Sequence, residues 1–263
     1  MKIWTLMENS ACRGELAAEH GLSLYIETNG RKILFDAGQS AAFADNAEKM
    51  GVDLSQVDLA ILSHGHYDHS GGLRRFLEIN NRSKIYVNQY AFDHCYHGDE
   101  RYIGVDQSLR DCGRLVYAGE ELLLDEGMTL YACNTKKKSH ALDSAGLTVY
   151  EDGMYRPDTF RHEQYLLVEE GGKRILFSGC SHKGILNIAE WFRPDVLIGG
   201  FHYMKLDPEN GDAEFLRQAA EELLRYPTVY YTGHCTGEKP FAFLKEIMGD
   251  RLQAIPAGLY LEV

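Results

Sequence analysis

The segment from Ser63 to Gly72 places three histidines and an aspartate within six residues of one another. Neutral imidazole and carboxylate groups are the ligand types that bind zinc or iron near neutral pH. Because one glycine separates His64 from His66, both rings can point in the same direction. Asp68 and His69 can then turn toward a second point. This spacing predicts that one short turn supplies half of each of two metal sites.

The pattern of apolar residues predicts the elements that hold this turn. The run Leu59–Leu62 is typical of a buried strand, and the run Leu73–Leu77, which follows two glycines, is typical of a helix. The turn is therefore expected at the carboxyl edge of a sheet, where α/β folds bind their ligands. A polar surface loop with solvated histidines is the simpler alternative, and the spacing disfavours it.

With its flanking glycines, the string His-x-His-x-Asp-His resembles the signature of the metallo-β-lactamase superfamily, and the resemblance extends along nearly the whole chain. The resemblance implies an α/β fold built as a four-layer αβ/βα sandwich, with the active site at the edge where both halves end. It also implies a cofactor of two divalent metal ions. Zinc is the first expectation, with iron or manganese as alternatives.

Length and composition limit the architecture and the partners. With 263 residues, 44% of them hydrophobic, the chain can bury one large core. We therefore expect a single domain over residues 1–263, with a less regular inserted region around 89–155. The net charge of −12 argues against nucleic acid or an anionic membrane as the main partner. An anionic small-molecule substrate is still compatible, because bound metal ions reverse the local field.

The N-terminal segment and the cysteines favour a cytoplasmic protein. Glu8 places a charge too early for the apolar part of a secretory signal. No apolar run approaches the roughly 20 residues that span a bilayer. The six cysteines show neither a C-x-x-C pair nor the spacing of a disulfide framework, which favours reducing surroundings.

The chain contains an internal repeat. Residues 30–38, Gly-Arg-Lys-Ile-Leu-Phe-Asp-Ala-Gly, are echoed by residues 172–180, Gly-Lys-Arg-Ile-Leu-Phe-Ser-Gly-Cys. Each copy completes a predicted hairpin, and a helical pattern (Ala41–Met50 or Ile185–Phe192) and another apolar strand follow it. This shared order predicts two mixed sheets packed face to face, with helices outside and a pseudo-two-fold relation between the halves.

The repeat also predicts a role for His202. It follows the strand 195–198 as His64 follows the strand 58–62, so we interpret it as the counterpart of His64 in the second half. Its ring is expected to open into the metal cleft outside the coordination sphere, where a histidine can bind substrate or donate a proton. A histidine that only bonds loop backbone is the alternative. His20 is a second candidate for substrate contact.

The region between the two halves is less regular. We interpret it as strands of the second half plus an insertion over the cleft, and we interpret His94, His97 and the basic run 136–138 as solvated surface. After the second half, the pattern predicts a helix over Ala213–Arg225, a strand over Thr228–Tyr231, a helix over Phe241–Met248 and a final strand over Leu259–Val263.

Two later turns supply the remaining ligands that the resemblance implies. Cys180 and His182 lie between a strand and a helix, and the superfamily has a bridging aspartate, or in some lactamases a cysteine, at the position of Cys180. A thiolate there would be deprotonated by the metal and would favour zinc. His234, in the turn Gly-His-Cys-Thr-Gly, matches the final histidine ligand. A buried thiol without a ligand role is the alternative for Cys180.

The third ligand of the first metal departs from the superfamily pattern. The superfamily usually has a histidine just ahead of the strand that leads to the bridging ligand, where this chain has His162 and Glu163. Adjacent residues of an extended chain face opposite sides, so only one of the two can face the metal. His182 is the third candidate for this position.

Four shorter strings, at 18–23, 179–185, 200–202 and 233–237, resemble a subgroup that is called dihydropteroate-synthase-like. It includes the archaeal dihydropterin–(ribofuranosyl)aminobenzene-phosphate synthase. The resemblance implies hydrolysis of an ester, lactone or phosphate-type small molecule by a metal-bound hydroxide, with Asp68 holding the second metal and orienting the nucleophile.

Three other functions are alternatives to this hydrolysis. The first is a pterin-condensing transferase, whose metals would activate a diphosphate leaving group. The second is a metal-binding sensor without catalysis. The third, a two-iron reductase of dioxygen or nitric oxide, is disfavoured because the chain has no flavodoxin-like domain to deliver electrons.

Overall fold

The computed structural model describes all residues from 1 to 263, and its strands and helices alternate in two similar series. In chain order, the strands are β1 (Lys2–Met7), β2 (Ser23–Thr28), β3 (Arg31–Phe35), β4 (Leu59–Ile61), β5 (Lys84–Asn88), β6 (His94–His97), β7 (Arg101–Tyr102), β8 (Leu115–Ala118), β9 (Glu121–Asp125), β10 (Met128–Tyr131), β11 (Leu147–Glu151), β12 (Met154–Pro157), β13 (Tyr165–Glu170), β14 (Lys173–Phe177), β15 (Val196–Ile198), β16 (Val229–Thr232), β17 (Leu252–Ala254) and β18 (Tyr260–Glu262). The helices are α1 (Ala42–Lys49), α2 (Tyr67–Ser70), α3 (Leu73–Ile79), α4 (Ile185–Phe192), α5 (Ala213–Leu224) and α6 (Glu238–Met248).

Two seven-stranded mixed sheets form the middle of the molecule. The first has the order β18-β1-β2-β3-β4-β5-β8, and the second has the order β17-β16-β15-β14-β13-β10-β9. Helices α1 and α3 cover the outer face of the first sheet, while α4, α5 and α6 cover the outer face of the second. The four-layer αβ/βα sandwich predicted from the sequence is therefore confirmed.

Neighbouring residues of the repeated strands enter different cores. Phe35 of β3 and Phe177 of β14 lie in the core between the two sheets, with ring centroids 5.7 Å apart. Leu34 and Leu176, one residue earlier in each strand, pack against the helices of their own half. Because both faces of each sheet are covered, these strands are continuously apolar rather than alternating.

The repeat extends beyond the hairpins that reveal it in the sequence. Strand for strand, β18-β1-β2-β3-β4-β5-β8 corresponds to β9-β10-β13-β14-β15-β16-β17. The first three pairings of each series are antiparallel and the last three are parallel. The repeated segments lie in different sheets, as the sequence predicted.

The register corrects the position that we expected for His202. Ile61 in β4 and Ile198 in β15 pair with equivalent phenylalanines of the neighbouring strands. His64 lies three residues after Ile61, and the residue three after Ile198 is Phe201. The prediction that His202 is the counterpart of His64 is therefore wrong by one residue, because the similar sequences were aligned without the register.

The region 89–155 contributes to three sheets. Strand β8 joins the edge of the first sheet, which the sequence interpretation missed, and β9 and β10 join the second sheet as predicted. Strands β6, β7, β11 and β12 form a separate four-stranded sheet. This inserted sheet has a small core of its own, and its loops supply one wall of the cleft described below.

The predicted elements of the last third of the chain are present. Helix α4 has the predicted bounds, and α5, β16, α6 and β18 differ from the prediction by a few residues at their ends. The short strand β17 was not predicted. All six cysteines are free thiols. No helix combines the length and apolarity that a membrane crossing requires.

Candidate metal centre

Seven buried side chains form two adjacent groups at the edge where the sheets end. Within each group, one ligand-type atom per residue lies within 4.8 Å of the others. The first group, called here the His-His-His cluster, contains His64, His66 and His182. The second, called here the Asp-His-Cys-His cluster, contains Asp68, His69, Cys180 and His234.

The turn after β4 contributes to both clusters, as its spacing predicted. His66 is the last extended residue before α2, while Asp68 and His69 lie on that short helix and face the second cluster. A glycine at position 65 is required, because a Cβ there would lie 2.5 Å from the carbonyl oxygen of Ala91. The tight packing of this turn holds its four ligand-type side chains in place.

Asp36, at the end of β3, fixes the tautomers of histidines in both clusters. Its Oδ2 accepts hydrogen bonds from His69 Nδ1 at 2.6 Å and from Ser63 Oγ at 2.7 Å. Since Ser63 Oγ donates to Asp36, it accepts from His64 Nδ1 at 2.8 Å. Both histidines therefore carry their proton on Nδ1 and present the Nε2 lone pair to the clusters. The sequence interpretation missed Asp36, which is marked only by its place at the end of the repeated hairpin.

Lone pairs converge in the Asp-His-Cys-His cluster. His234 Nδ1 donates to Asn9 Oδ1 at 2.8 Å, so its Nε2 is unprotonated. That Nε2 lies 3.1 Å from His69 Nε2 and 3.1 Å from Asp68 Oδ2. Three such acceptor atoms would repel one another at these distances. A divalent cation between them removes the repulsion, and without a metal the nearby carboxylates instead raise the pKa of His69. The residues present therefore fit a metal ion.

Although Asp36 and Asp68 raise the pKa of the buried His69, burial keeps His64 and His66 in the neutral form that binds metals. It lowers the pKa of His64 far below the ordinary value, assisted by the neighbouring histidines, and it lowers the pKa of His66 to about 3. Burial would raise the pKa of Asp68, but His69, His20 and His234 hold it well below the ordinary value. This carboxylate is therefore ionised at neutral pH.

The pKa of the Cys180 thiol is shifted in the opposite direction to that of Asp68. Burial and the adjacent Cys235 raise its pKa well above the ordinary value. Its Sγ lies 3.1 Å from His69 Nε2, at the same point where the lone pairs converge. A bound metal ion would deprotonate this thiol, because only the thiolate is a strong ligand.

The structure groups a ring nitrogen of His182, and not one of His162 or a carboxylate oxygen of Glu163, with ring nitrogens of both His64 and His66. His182 Nε2 lies 3.3 Å from His64 Nε2. The Glu163 carboxylate instead accepts hydrogen bonds from the backbone N–H groups of His182 and Lys183, at 2.6 and 2.9 Å. Glu163 thus positions the turn that carries His182.

His162 has no lone pair free for a metal. Its Nδ1 accepts from the backbone N–H of Gly65 at 3.1 Å, so its proton lies on Nε2, which donates to Asp158 at 3.0 Å. His66, Cys95, Asp158 and His162 also lie close together. The same proton argument disfavours a third metal there, and this group instead supports the backbone between His64 and His66.

His20 and His202 lie beside the clusters and outside both groups. His20 Nε2 lies 3.3 Å from Asp68 Oδ2. The ring of His202 is 4.2 Å from that of His182, measured between centroids, and it is partly exposed to the cleft. Burial, with His234 and Lys205, lowers the pKa of His202 to about 4. At pH 7 the ring is therefore neutral, whereas the sequence analysis also expected it to be able to donate a proton.

A cleft of about 410 Å³ opens over both clusters. His66, Asp68, Cys180 and His182 line its floor. Its walls include two cationic side chains, Arg101 and Lys205, together with His97. The sequence interpretation assigned none of the three to the site. His97 is exposed, as predicted, but it faces the cleft. No motif marks these residues, because the placement of the inserted sheet and of the segment after β15 brings them to the site.

Comparison with known proteins identifies the family. The model of the metallo-beta-lactamase superfamily matches residues 17–234. The chain belongs to this superfamily, whose members are mostly metal-dependent hydrolases.

Individual relatives support this assignment. The crystal structure of Tm1679, a metal-dependent hydrolase of the beta-lactamase superfamily, has a TM-score of 0.80 and 30% sequence identity, and the match covers 100% of this chain and 99% of that one. The 7,8-dihydropterin-6-methyl-4-(beta-D-ribofuranosyl)-aminobenzene-5'-phosphate synthase of Methanocaldococcus jannaschii is 27% identical, over 98% of this chain and 95% of the synthase. An uncharacterized protein of the same organism is 28% identical, over 92% of this chain and 93% of its own length.

Proposed function

We propose that this protein is a hydrolase that uses two divalent metal ions, with zinc as the first candidate, on an ester, lactone or phosphate-type small molecule. The observation that carries the proposal is the convergence of ligand-type atoms in two adjacent clusters beneath one cleft. When bound, two such ions supply hydroxide near neutral pH and polarise the substrate oxygen.

The protein's own groups would prepare this chemistry. Asp36 orients His64 and His69 before any ligand binds, since it is hydrogen-bonded to His69 directly and to His64 through Ser63. Asp68 is ionised and would hold the second ion and orient the nucleophile. His202, neutral and beside His182, can offer a hydrogen bond to the substrate.

The test begins with metal stoichiometry, measured by elemental analysis of protein saturated with zinc, iron or manganese and then desalted. The loaded protein is then assayed against a panel of aryl esters, lactones and phosphodiesters. About two equivalents of metal, and turnover that a chelator removes and zinc restores, support the proposal. Two equivalents of metal without any turnover would favour a metal-binding sensor.

A transferase is the second candidate, because the similarity to the archaeal synthase covers nearly the whole of both chains. The same cluster residues would then hold ions that activate a diphosphate leaving group of a pterin. Formation of a condensed product from a pterin diphosphate and an aminobenzene-ribose phosphate, without hydrolysis of the panel, would favour this candidate over the hydrolase.

A further inference from the structure

The cleft has a second chamber. This chamber, of about 360 Å³, adjoins the cleft and shares with it a partition that includes His182, His202 and Lys205. Its remaining wall is largely apolar, with aromatic side chains from Phe201, Tyr203 and Phe215. A ligand that reaches the clusters can therefore extend past the partition into an apolar space.

The mouth of the cleft carries positive charge from two different elements. Arg101 comes from β7 in the inserted sheet, and Lys205 comes from the segment after β15. Arg101 donates to the Tyr67 hydroxyl at 3.0 Å, and Lys205 donates to the Ala145 carbonyl oxygen at 2.6 Å. Neither cation has a carboxylate within 4.0 Å. Several arginines elsewhere on the surface do form ion pairs with carboxylates.

This placement is unusual for a chain whose net charge is −12. Lys205 Nζ donates to His97 Nε2 at 3.3 Å, so its partner there is a ring nitrogen and not a carboxylate. The carboxylates that face the two chambers are Asp68, which belongs to a metal cluster, and Asp143, which lines only the apolar chamber. The mouth therefore presents uncompensated cations to an incoming ligand, and such cations favour binding of an anion.

From these observations we infer that the substrate is a phosphate-bearing molecule with an apolar group. Its phosphate is held by Arg101 and Lys205 at the mouth of the cleft, and its apolar group occupies the adjoining chamber. Arg and Lys both bind phosphate oxygens through charge-assisted hydrogen bonds, and the arginine fork matches the geometry of two oxygens. The inference rests on the proposed function, since it names the class of substrate for the same site.

The test uses zinc-loaded protein and two non-hydrolysable probes, methylphosphonate and phenylphosphonate, whose binding is measured by calorimetry. Phenylphosphonate should bind at least about tenfold more tightly than methylphosphonate, because its ring can enter the apolar chamber. Benzoate, which has the ring but a singly charged carboxylate, should bind more weakly than phenylphosphonate. Equal binding of benzoate and phenylphosphonate would overturn the assignment to phosphate.

Two variants test the cations, and one tests the chamber. Arg101→Met and Lys205→Met should each weaken both phosphonates by about tenfold while metal content stays unchanged. Arg156→Met is the matched control, because Arg156 is an exposed residue of the same inserted sheet and does not line the cleft. Ala141→Phe, which fills the chamber from its rim, should remove the advantage of the phenyl ring and leave methylphosphonate binding intact.

Each failure has a separate meaning. Unchanged phosphonate binding in both cation variants would show that the anion contacts only the metals, and would overturn the inference. The role of the chamber would be overturned if Ala141→Phe left the tighter binding of phenylphosphonate unchanged, or if the control Arg156→Met removed it. If the binding pattern is as expected but no ester or phosphodiester is hydrolysed, the proposed hydrolysis fails while the inferred ligand class stands.

Discussion

The two halves of the molecule share a scaffold but carry their ligands on different turns. In the first half, the turn after β4 supplies four of the seven cluster residues, and the turn after β3 supplies the supporting Asp36. In the second half, the turn after β14 supplies Cys180 and His182, the turn after β16 supplies His234, and the turn after β15 supplies none. The repeated backbone therefore does not repeat the chemistry.

Equivalent positions show why the halves could diverge. Phe35 and Phe177 are buried between the sheets, and each position requires an apolar residue. The next residue is Asp36 in one half and Ser178 in the other; both are buried, but each is hydrogen-bonded to a different turn. The strands preserve the repeat because both copies pack into the same apolar core, whereas the buried turn residues are polar and have taken different hydrogen-bond partners in the two halves.

The largest effect is expected from the turn that serves both clusters. Asp68→Ala and His66→Ala should each remove at least one equivalent of metal, because each deletes a ligand-type group from a different cluster. Turnover should fall about 10³-fold, since the metal contributes several kcal/mol to catalysis. Elemental analysis and steady-state assays measure the two effects. His94→Ala, at an exposed histidine of the inserted sheet, is the control. Full metal occupancy in both Asp68→Ala and His66→Ala would contradict the assignment of the two clusters.

A second test compares the equivalent residues Asp36 and Ser178. Asp36→Asn should weaken metal binding by about 10- to 100-fold. The carboxylate accepts hydrogen bonds on both oxygens, from His69 and the Ser63 hydroxyl on one and from the Ser63 N–H on the other, whereas an amide would turn its NH2 group toward one of these donors. Ser178→Ala should leave metal affinity nearly unchanged, since its hydroxyl is bonded to Ser181 rather than to a ligand side chain. Competition with a chelator measures both affinities. Similar losses in the two variants would mean that the supporting role is not confined to the first half.

A third test concerns His202, which lies beside the metal cluster without belonging to it. His202→Ala should leave the metal content intact and lower kcat/KM by about tenfold, as expected for loss of a hydrogen bond to the substrate. A larger loss of about 10²-fold, confined to kcat, would indicate a general acid despite its lowered pKa. Loss of metal would instead place His202 among the ligands, contrary to the geometry.

The sequence predicted the layers of the fold because burial leaves a readable pattern in β3, β4, β14 and β15. It also predicted the ligand-type residues of the first turn, whose spacing is specific. It did not reveal Asp36, whose role depends on a contact with a turn some 30 residues away in the chain. Nor did it reveal Arg101 and Lys205, because a separate sheet and a later turn bring them to the cleft.

The smallest expected effect tests whether the shared scaffold is equally stable in both halves. Ile61 of β4 and Ile198 of β15 are each 1% exposed, belong to the core between the sheets and occupy equivalent positions of the repeat. Ile61→Val and Ile198→Val should each lower the free energy of unfolding by about 1 kcal/mol, because each leaves a cavity the size of one methylene group.

Unfolding in urea at saturating zinc measures both changes, and the excess metal matters because ligand binding itself shifts apparent stability. Ile79→Val, at a partly buried residue of α3, is the control and should have a smaller effect. Nearly equal losses at the two equivalent positions would show that the halves differ in their turns but not in the packing beneath them. A large loss of unfolding free energy in one half and none in the other would mean that the two halves also differ in the packing of their core. The ligand turns would then not rest on equivalent strands.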